Sequence, residues 1–219
     1  MEQKPHLKKD EYRLILVRHD SFVQYVKSDI FGDLFIKINK DVEGADEYFH
    51  TLSDHAGVVS VNIGEEIKEH RGTLRRIKLH IALAMLTSLY HQWEKDIRKC
   101  MGSHLKSGYD YKSSIDELLD KFKQLGWNVR KESWFHAIDD CREIVNTYKH
   151  KAVELDKLDE KHSKFFEKKI VSYPYGDEYF GREVREEELL MKEDGFCEIA
   201  GAFKQFWEQF REQFPEEHR

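Results

Sequence analysis

Apolar residues recur at steps of three and four along most of this chain, the spacing that places them on one face of an α-helix. The longest such pattern runs from Glu65 to Met101 and predicts a central helix. A second helix is predicted from Lys131 to Ala152, on an apolar stripe of Trp134, Ile138, Cys141, Val145 and Tyr148. Proline disrupts helix interiors, and none occurs between His6 and Tyr173. The pattern therefore predicts an all-α, mostly helical fold.

Shorter elements are predicted on either side of the central helix. Ser21–Lys40 and Asp46–Ser53 are expected to form two N-terminal helices, followed by a connector at Val58–Val61. After the central helix, Ser114 and Glu117 fit a capping box, in which each side chain satisfies a backbone N–H group at the start of a helix.

The C-terminal part of the chain ends in a clear helix. It is predicted to be capped by Asp194 and to end at Pro215, with Trp207 beside an inward-facing stripe of Phe196, Ile199, Phe203, Phe206 and Phe210. Before it, the charged stretch Glu154–Lys169 is interpreted as a solvated helix, with a partner-binding face as the alternative. Lys169–Tyr175 and Glu187–Lys192 are short apolar runs that favour one small β-hairpin near residues 169–192.

No internal repeat or low-complexity linker divides the 219 residues, so a single helical domain is predicted. Within it, residues 1–70 are interpreted as an N-terminal helical extension and residues 71–215 as the core of the bundle.

Composition narrows the class of protein. No apolar run approaches the roughly 18 residues that a membrane span requires, so no membrane partner is expected. The cysteines Cys100, Cys141 and Cys197 are widely spaced and odd in number, which indicates buried thiols in the cytoplasm rather than disulfides. The formal net charge of −6 argues against nonspecific duplex binding, which depends on overall positive charge.

Two enzyme classes have partial signatures near the N-terminus. The run from Leu14 to Asp20 resembles the strand and phosphate-binding Arg-His of the histidine phosphatases, but the usual glycine after His19 and the βαβ alternation are missing. Glu47 and His50 form one Glu-x-x-His pair of the kind that di-iron bundles use twice, together with two further glutamates. Glu66 with His70, or His91 with Glu94, could add further ligands. Neither signature is complete, and no cofactor or metal is expected.

The most informative chemistry lies late in the Lys131–Ala152 helix. Arg142, Asn146 and His150 follow one another at steps of four, so they form a polar ridge along one helical face. A guanidinium binds phosphate, an amide orients it, and an imidazole transfers protons near neutral pH. These three residues are therefore candidate catalytic residues for phosphodiester chemistry, and Lys149 is a candidate substrate-binding residue.

An Asn-x-x-x-His pair late in a core helix of an all-helical protein resembles the HEPN superfamily. The resemblance covers about Arg75 to Pro215 and implies a helical bundle that forms a homodimer. It also implies a metal-independent endoribonuclease, in a toxin or antiviral setting, whose composite site takes an Arg-polar-x-x-x-His motif from each subunit. Asn146 matches the polar position and His150 the histidine. Val145 stands where the family has arginine, so Arg142 would act from one turn upstream.

Two readings of the same residues remain open. In one, Arg142 pairs with an acid such as Asp139 or Glu143, and the amide and imidazole make structural hydrogen bonds. In the other, the protein is a noncatalytic helical protein that binds a nucleotide, a nucleic acid such as RNA, or a protein partner.

Overall fold

A computed structural model of the protein describes residues 8–55, 60–104, 114–149, 158, 160–168 and 189–215. The N-terminal half contains α1 (Lys9–Tyr25), a π-helical segment (Val26–Leu34), α2 (Phe35–His55) and α3 (Ser60–His104). The C-terminal half contains α4 (Ile115–Gln124), a 3-10 turn (Val129–Lys131), α5 (Phe135–Lys149), strands β1 (Phe166–Lys168) and β2 (Leu189–Met191), and α6 (Glu193–Gln213). The predicted all-α class is confirmed.

The chain divides into two compact units. The first is drawn from Met1–Gln24, Leu86–Asn146 and Phe196–Arg219, and the second from Tyr25–Met85 and Thr147–Gly195. Helix α3, which was predicted as the central helix and is longer than expected, supplies residues to both units.

An aromatic cluster forms the core of the first unit. The ring centroid of Phe206 lies 5.3 Å from that of Trp93 and 5.2 Å from that of Trp127. The ring centroids of Phe122 and Phe210 are 5.9 Å apart. The Trp93–Phe206 and Phe122–Phe210 contacts are edge-to-face, and such contacts add to the stabilisation that burial of the large rings provides. The inward-facing stripe predicted for the closing helix is confirmed, because all of its members are buried in α6: Phe196, Ile199, Phe203, Phe206 and Phe210.

Local signals fix both ends of α4. Ser114 Oγ accepts a hydrogen bond from the Glu117 backbone N–H at 3.2 Å, and the Ser114 N–H donates to Glu117 Oε2 at 2.7 Å, so the predicted capping box is confirmed. After the helix, Gly126 adopts φ of 100°, a left-handed conformation that favours glycine. That turn brings Trp127 into the core, and the backbone N–H of Trp127 donates to the Phe122 carbonyl at 2.9 Å.

The N-terminal helices differ from the prediction. Leu14 to Asp20 lies inside α1, so the strand that the histidine-phosphatase resemblance requires is absent from this run. The break expected between Lys40 and Asp46 is also wrong, because α2 continues through both. The predicted connector was wrong at Ser60 and Val61, which begin α3, while positions 58 and 59 lie outside the described residues. Buried positions along the π-helix and α2 explain the continuity: Val26, Ile30, Phe31, Phe35, Ile38 and Val42.

A small hairpin belongs to the second unit. Strands β1 and β2 pair antiparallel, with Phe166 opposite Met191. The second strand lies within the predicted run Glu187–Lys192, whereas the first strand lies just before the predicted run Lys169 to Tyr175, which is outside the described residues. The solvated-helix interpretation of Glu154–Lys169 is correspondingly wrong at β1. Phe165 and Phe166 are buried, so burial of this aromatic pair overrides the surrounding charge.

The cysteine prediction holds for two residues of three. Cys100 and Cys141 are buried, whereas Cys197 is partly exposed on α6. None of the three forms a disulfide within the described part of the chain.

Candidate functional site

The apolar stripe of α5 determines which of its side chains face solvent. Ile138, Cys141, Ile144 and Val145 are buried on one side of the helix. Arg142 and Asn146 lie one turn apart on the other side, Arg142 partly exposed and Asn146 exposed. Val145, at the position where the HEPN motif has arginine, is 1% exposed and belongs to the core. A charged residue at that position would therefore have to enter the apolar interior.

Arg142 is held by two carboxylates. Its Nη1 lies 2.9 Å from Asp116 Oδ2, and its Nη2 lies 3.0 Å from Asp139 Oδ1. The Asp139 contact agrees with the ion pair that the sequence offered as an alternative role for Arg142. Asp116 was not foreseen as a partner, because it belongs to α4 and only the fold brings it to α5.

Asp116 links two arginines into one network. Its Oδ1 lies 2.9 Å from Arg130 Nη2, and Arg130 also pairs with Asp120. Burial alone would raise the pKa of Asp116, but hydrogen bonds from Arg130 and Arg142 outweigh it and lower that pKa. Burial would likewise lower the pKa of Arg142, but Asp139 and Asp116 outweigh it and raise that pKa. The network thus favours the charged forms of Asp116 and Arg142.

Of the three remaining candidate residues, the structure describes Asn146 and Lys149. Lys149 is exposed and is the last residue of α5. His150 lies outside the described residues. Asn146 has an exposed side chain that is available for a solvent-side ligand. The structure therefore gives the surroundings of Arg142, Asn146 and Lys149, and the histidine keeps its role as a prediction.

Arg18 and His19, the Arg-His pair of the histidine-phosphatase resemblance, make contacts between helices. Both residues lie on α1, where Arg18 pairs with Asp96 of α3. The Nε2–H group of His19 donates to the Ala200 carbonyl at 3.0 Å. Both contacts join helices of the first unit, so the resemblance to a phosphatase strand is contradicted.

Among the described residues, the metal-ligand candidates do not form a site. Glu47, Glu66 and His70 are exposed on their helices. His91 Nδ1 lies 3.3 Å from Glu94 Oε2, a contact between neighbours on α3. Within the part of the chain that the structure describes, no three His, Cys, Asp or Glu side chains are grouped so that they would hold a metal ion.

Comparisons do not assign this chain to a known group. No protein-family model, curated protein or solved structure matches it. Of the helices described, none combines the length and apolar character needed to cross a membrane.

Proposed function

We propose that this chain is a HEPN-like, metal-independent endoribonuclease that uses the polar face of α5. The observation that carries the proposal is the placement of Arg142 and Asn146 one turn apart on the solvent side of a helix whose other side is core. The exposed Lys149 follows at the end of the helix and adds positive charge for a phosphate.

The proposed reaction is an internal transesterification of RNA. The 2′-oxygen of a ribose attacks the adjacent phosphorus, a 2′-O–P bond forms, and the P–O5′ bond breaks. The proton of the 2′-hydroxyl passes to His150, which then gives it to the leaving 5′-oxygen, so the products are a 2′,3′-cyclic phosphate and a 5′-hydroxyl. In this scheme Arg142 contacts the phosphate, and Asn146 orients it. No metal ion is needed for the atoms to balance.

A homodimer belongs to this proposal, because the HEPN motif acts in pairs. The second copy would supply another set of Arg142, Asn146 and His150 to one composite site. Light scattering at micromolar protein concentration tests this part, and a monomeric mass would contradict the composite site.

The test is RNA cleavage in the presence of a chelator. Wild-type protein is expected to release products with 2′,3′-cyclic phosphate ends, and His150→Ala is expected to lower the rate by about 100-fold or more. His136→Ala is the matched control, since His136 is an exposed histidine in the first turn of α5, and it should cleave as wild type does. Full activity in His150→Ala, or an inert wild-type protein, would overturn the proposal.

A noncatalytic binding protein is the second candidate, and the surroundings of Arg142 favour it. Two carboxylates at 2.9 Å and 3.0 Å already neutralise the guanidinium, and a phosphate must compete with them. A face of this kind can bind a nucleotide, an RNA or a protein without cleaving it. Saturable RNA binding with no cyclic-phosphate product would support this candidate and exclude the nuclease.

A further inference from the structure

A cavity of about 220 Å³ lies in the first unit, and none of its lining residues belongs to α5. Helices α1, α3 and α6 form it, and its walls are largely apolar: Ile15, Phe22, Leu89, Trp93, Phe203 and Trp207. An apolar cavity of about 150 Å³ accommodates a benzene ring. This cavity is therefore large enough for a flat bicyclic ring, with aromatic side chains on which that ring can pack.

One wall of the cavity is charged. Asp96, whose side chain is 9% exposed, pairs through Oδ2 with Arg18, whose side chain is 44% exposed. Among the described residues, no group binds the second carboxylate oxygen of Asp96. The pair thus presents a carboxylate acceptor beside a guanidinium that has five N–H donors in all, one of which donates to Asp96. A ring with an adjacent N–H donor and carbonyl or ring-nitrogen acceptor matches that arrangement.

Two further polar groups in the walls lack a protein partner. Trp93 Nε1 and Gln92 Nε2 are buried and make no hydrogen bond within the described part of the chain. Buried indole N–H groups usually have an acceptor, and an unmet donor is destabilising. A small rotation of the Gln92 amide toward the cavity would let an acceptor on a bound ring satisfy its N–H group.

We propose that this cavity binds a planar bicyclic heterocycle of the purine class, with its donor–acceptor edge on Asp96 and Arg18 and its faces against the aromatic walls. The proposal is independent of the ribonuclease proposal, because none of the cavity residues belongs to the α5 face. The ring has two sources with the same chemistry: a free purine or a purine base of single-stranded RNA.

Calorimetric titration of the full chain tests the proposal with three probes. Hypoxanthine carries the donor–acceptor edge, indole has similar size without an acceptor, and oligoadenylate offers purines in a strand. Hypoxanthine is expected to bind about tenfold or more tightly than indole, because only its edge pairs with Asp96 and Arg18. Failure of hypoxanthine and oligoadenylate to bind at millimolar concentration, or indole binding as tightly as hypoxanthine, would overturn the proposal.

Variants locate the binding. Asp96→Asn removes the charge and should weaken hypoxanthine binding about tenfold or more. Asp10→Asn is its matched control, since Asp10 is exposed in the first turn of α1, and it should bind as wild type does. Ser88 lines the cavity and is exposed, so Ser88→Tyr should block entry with little effect on the core. Unchanged binding in folded Ser88→Tyr protein would place the ligand elsewhere and contradict the proposal.

The same variants distinguish the two sources. Oligoadenylate binding that Ser88→Tyr abolishes would identify a base of an RNA strand as the occupant. Hypoxanthine binding without oligoadenylate binding would identify the free purine. On an RNA whose bases do not enter the cavity, Ser88→Tyr should produce cyclic phosphate at the wild-type rate, because the described residues of the proposed nuclease site lie on α5. The cavity proposal and the nuclease proposal can therefore fail separately.

Discussion

Arg142 Nη1 lies 2.9 Å from Oδ2 of Asp116, a residue 26 positions earlier in the chain. The contact joins the start of α4 to the middle of α5, and it places a carboxylate at the guanidinium that we propose as the phosphate-binding group. Asp116 is therefore both a link between two helices and a competitor for any phosphate at Arg142.

Replacing Asp116 with asparagine tests this competition. Asp116→Asn should raise RNA affinity about two- to fivefold at low salt, because an exposed ion pair of this kind contributes about 0.2–1 kcal/mol. Filter binding or fluorescence anisotropy at several salt concentrations measures the change. Asp120→Asn is the matched control, since Asp120 pairs with Arg130 on the same network and is not a partner of Arg142 in the contacts described. Equal effects of the two variants would show that Asp116 does not compete with RNA.

The lowered pKa of Asp116 predicts how its stabilising effect depends on pH. The pKa of Asp116 is lower in the folded protein than its ordinary value of 3.8, so the ionised carboxyl stabilises the fold at any pH above 3.8. This stabilisation is lost as the pH falls through the pKa of the folded state. The difference in free energy of unfolding between wild type and Asp116→Asn should therefore be largest near neutral pH and shrink below about pH 4. The effect is small, because the Asp116 side chain is 54% exposed.

Urea unfolding from neutral pH down to pH 2.5 measures that difference. Salt should reduce it at neutral pH, since mobile ions screen exposed charges. A difference that grows as the pH falls would have the wrong sign for a lowered carboxyl pKa and would contradict the pairing with Arg130 and Arg142.

The three thiols should differ in reactivity. Burial raises the pKa of Cys100 to about 12 and holds the pKa of Cys141 well above its ordinary value. Thiolate is the reactive form, so both should resist a thiol reagent at pH 8 while the protein is folded. Cys197, which is partly exposed, should react first. Mass spectrometry after brief labelling assigns the sites, and rapid labelling of Cys141 in folded protein would contradict its burial.

The sequence was most informative where periodicity and local hydrogen bonding determine structure. The stripe through Phe196, Phe203 and Phe210 indicated a buried face, and all three are buried. The Ser114 and Glu117 spacing indicated a helix start, because both hydrogen bonds of the capping box form within four residues. Such signals require no knowledge of distant contacts.

Features that depend on tertiary neighbours could not be predicted in the same way. No local pattern connects Asp116 with Arg142 or Arg18 with Asp96, since each pair comes from two helices. The strand at Phe166 was interpreted as charged helix, because its pairing with Met191 is not visible in the local sequence. The candidate site was predictable as far as the shared face of Arg142 and Asn146, whereas the carboxylates that hold the arginine were set by the fold.

Two glycines of α6 provide a matched pair of substitutions. A Cβ on Gly195 would lie 2.8 Å from Phe165 Cα and 2.9 Å from the Phe165 carbonyl oxygen, both backbone atoms that have little freedom to move. A Cβ on Gly201 would meet no atom within 4 Å outside the local helix. The close approach at Gly195 explains why the chain before β1 can pack directly on the start of α6.

Gly195→Ala should therefore lower the free energy of unfolding by about 2 kcal/mol or more, because the new Cβ would overlap the Phe165 backbone and force it to shift. Gly201→Ala should instead raise it by about 0.5–1 kcal/mol, because alanine favours a helix interior and loses less backbone freedom on folding. Chemical denaturation of both variants gives the comparison, and hydrogen exchange at the Lys192 N–H, which donates to the Phe165 carbonyl at 2.9 Å, reports the local effect. If both substitutions were stabilising, α6 and Phe165 would not approach each other as the structure describes.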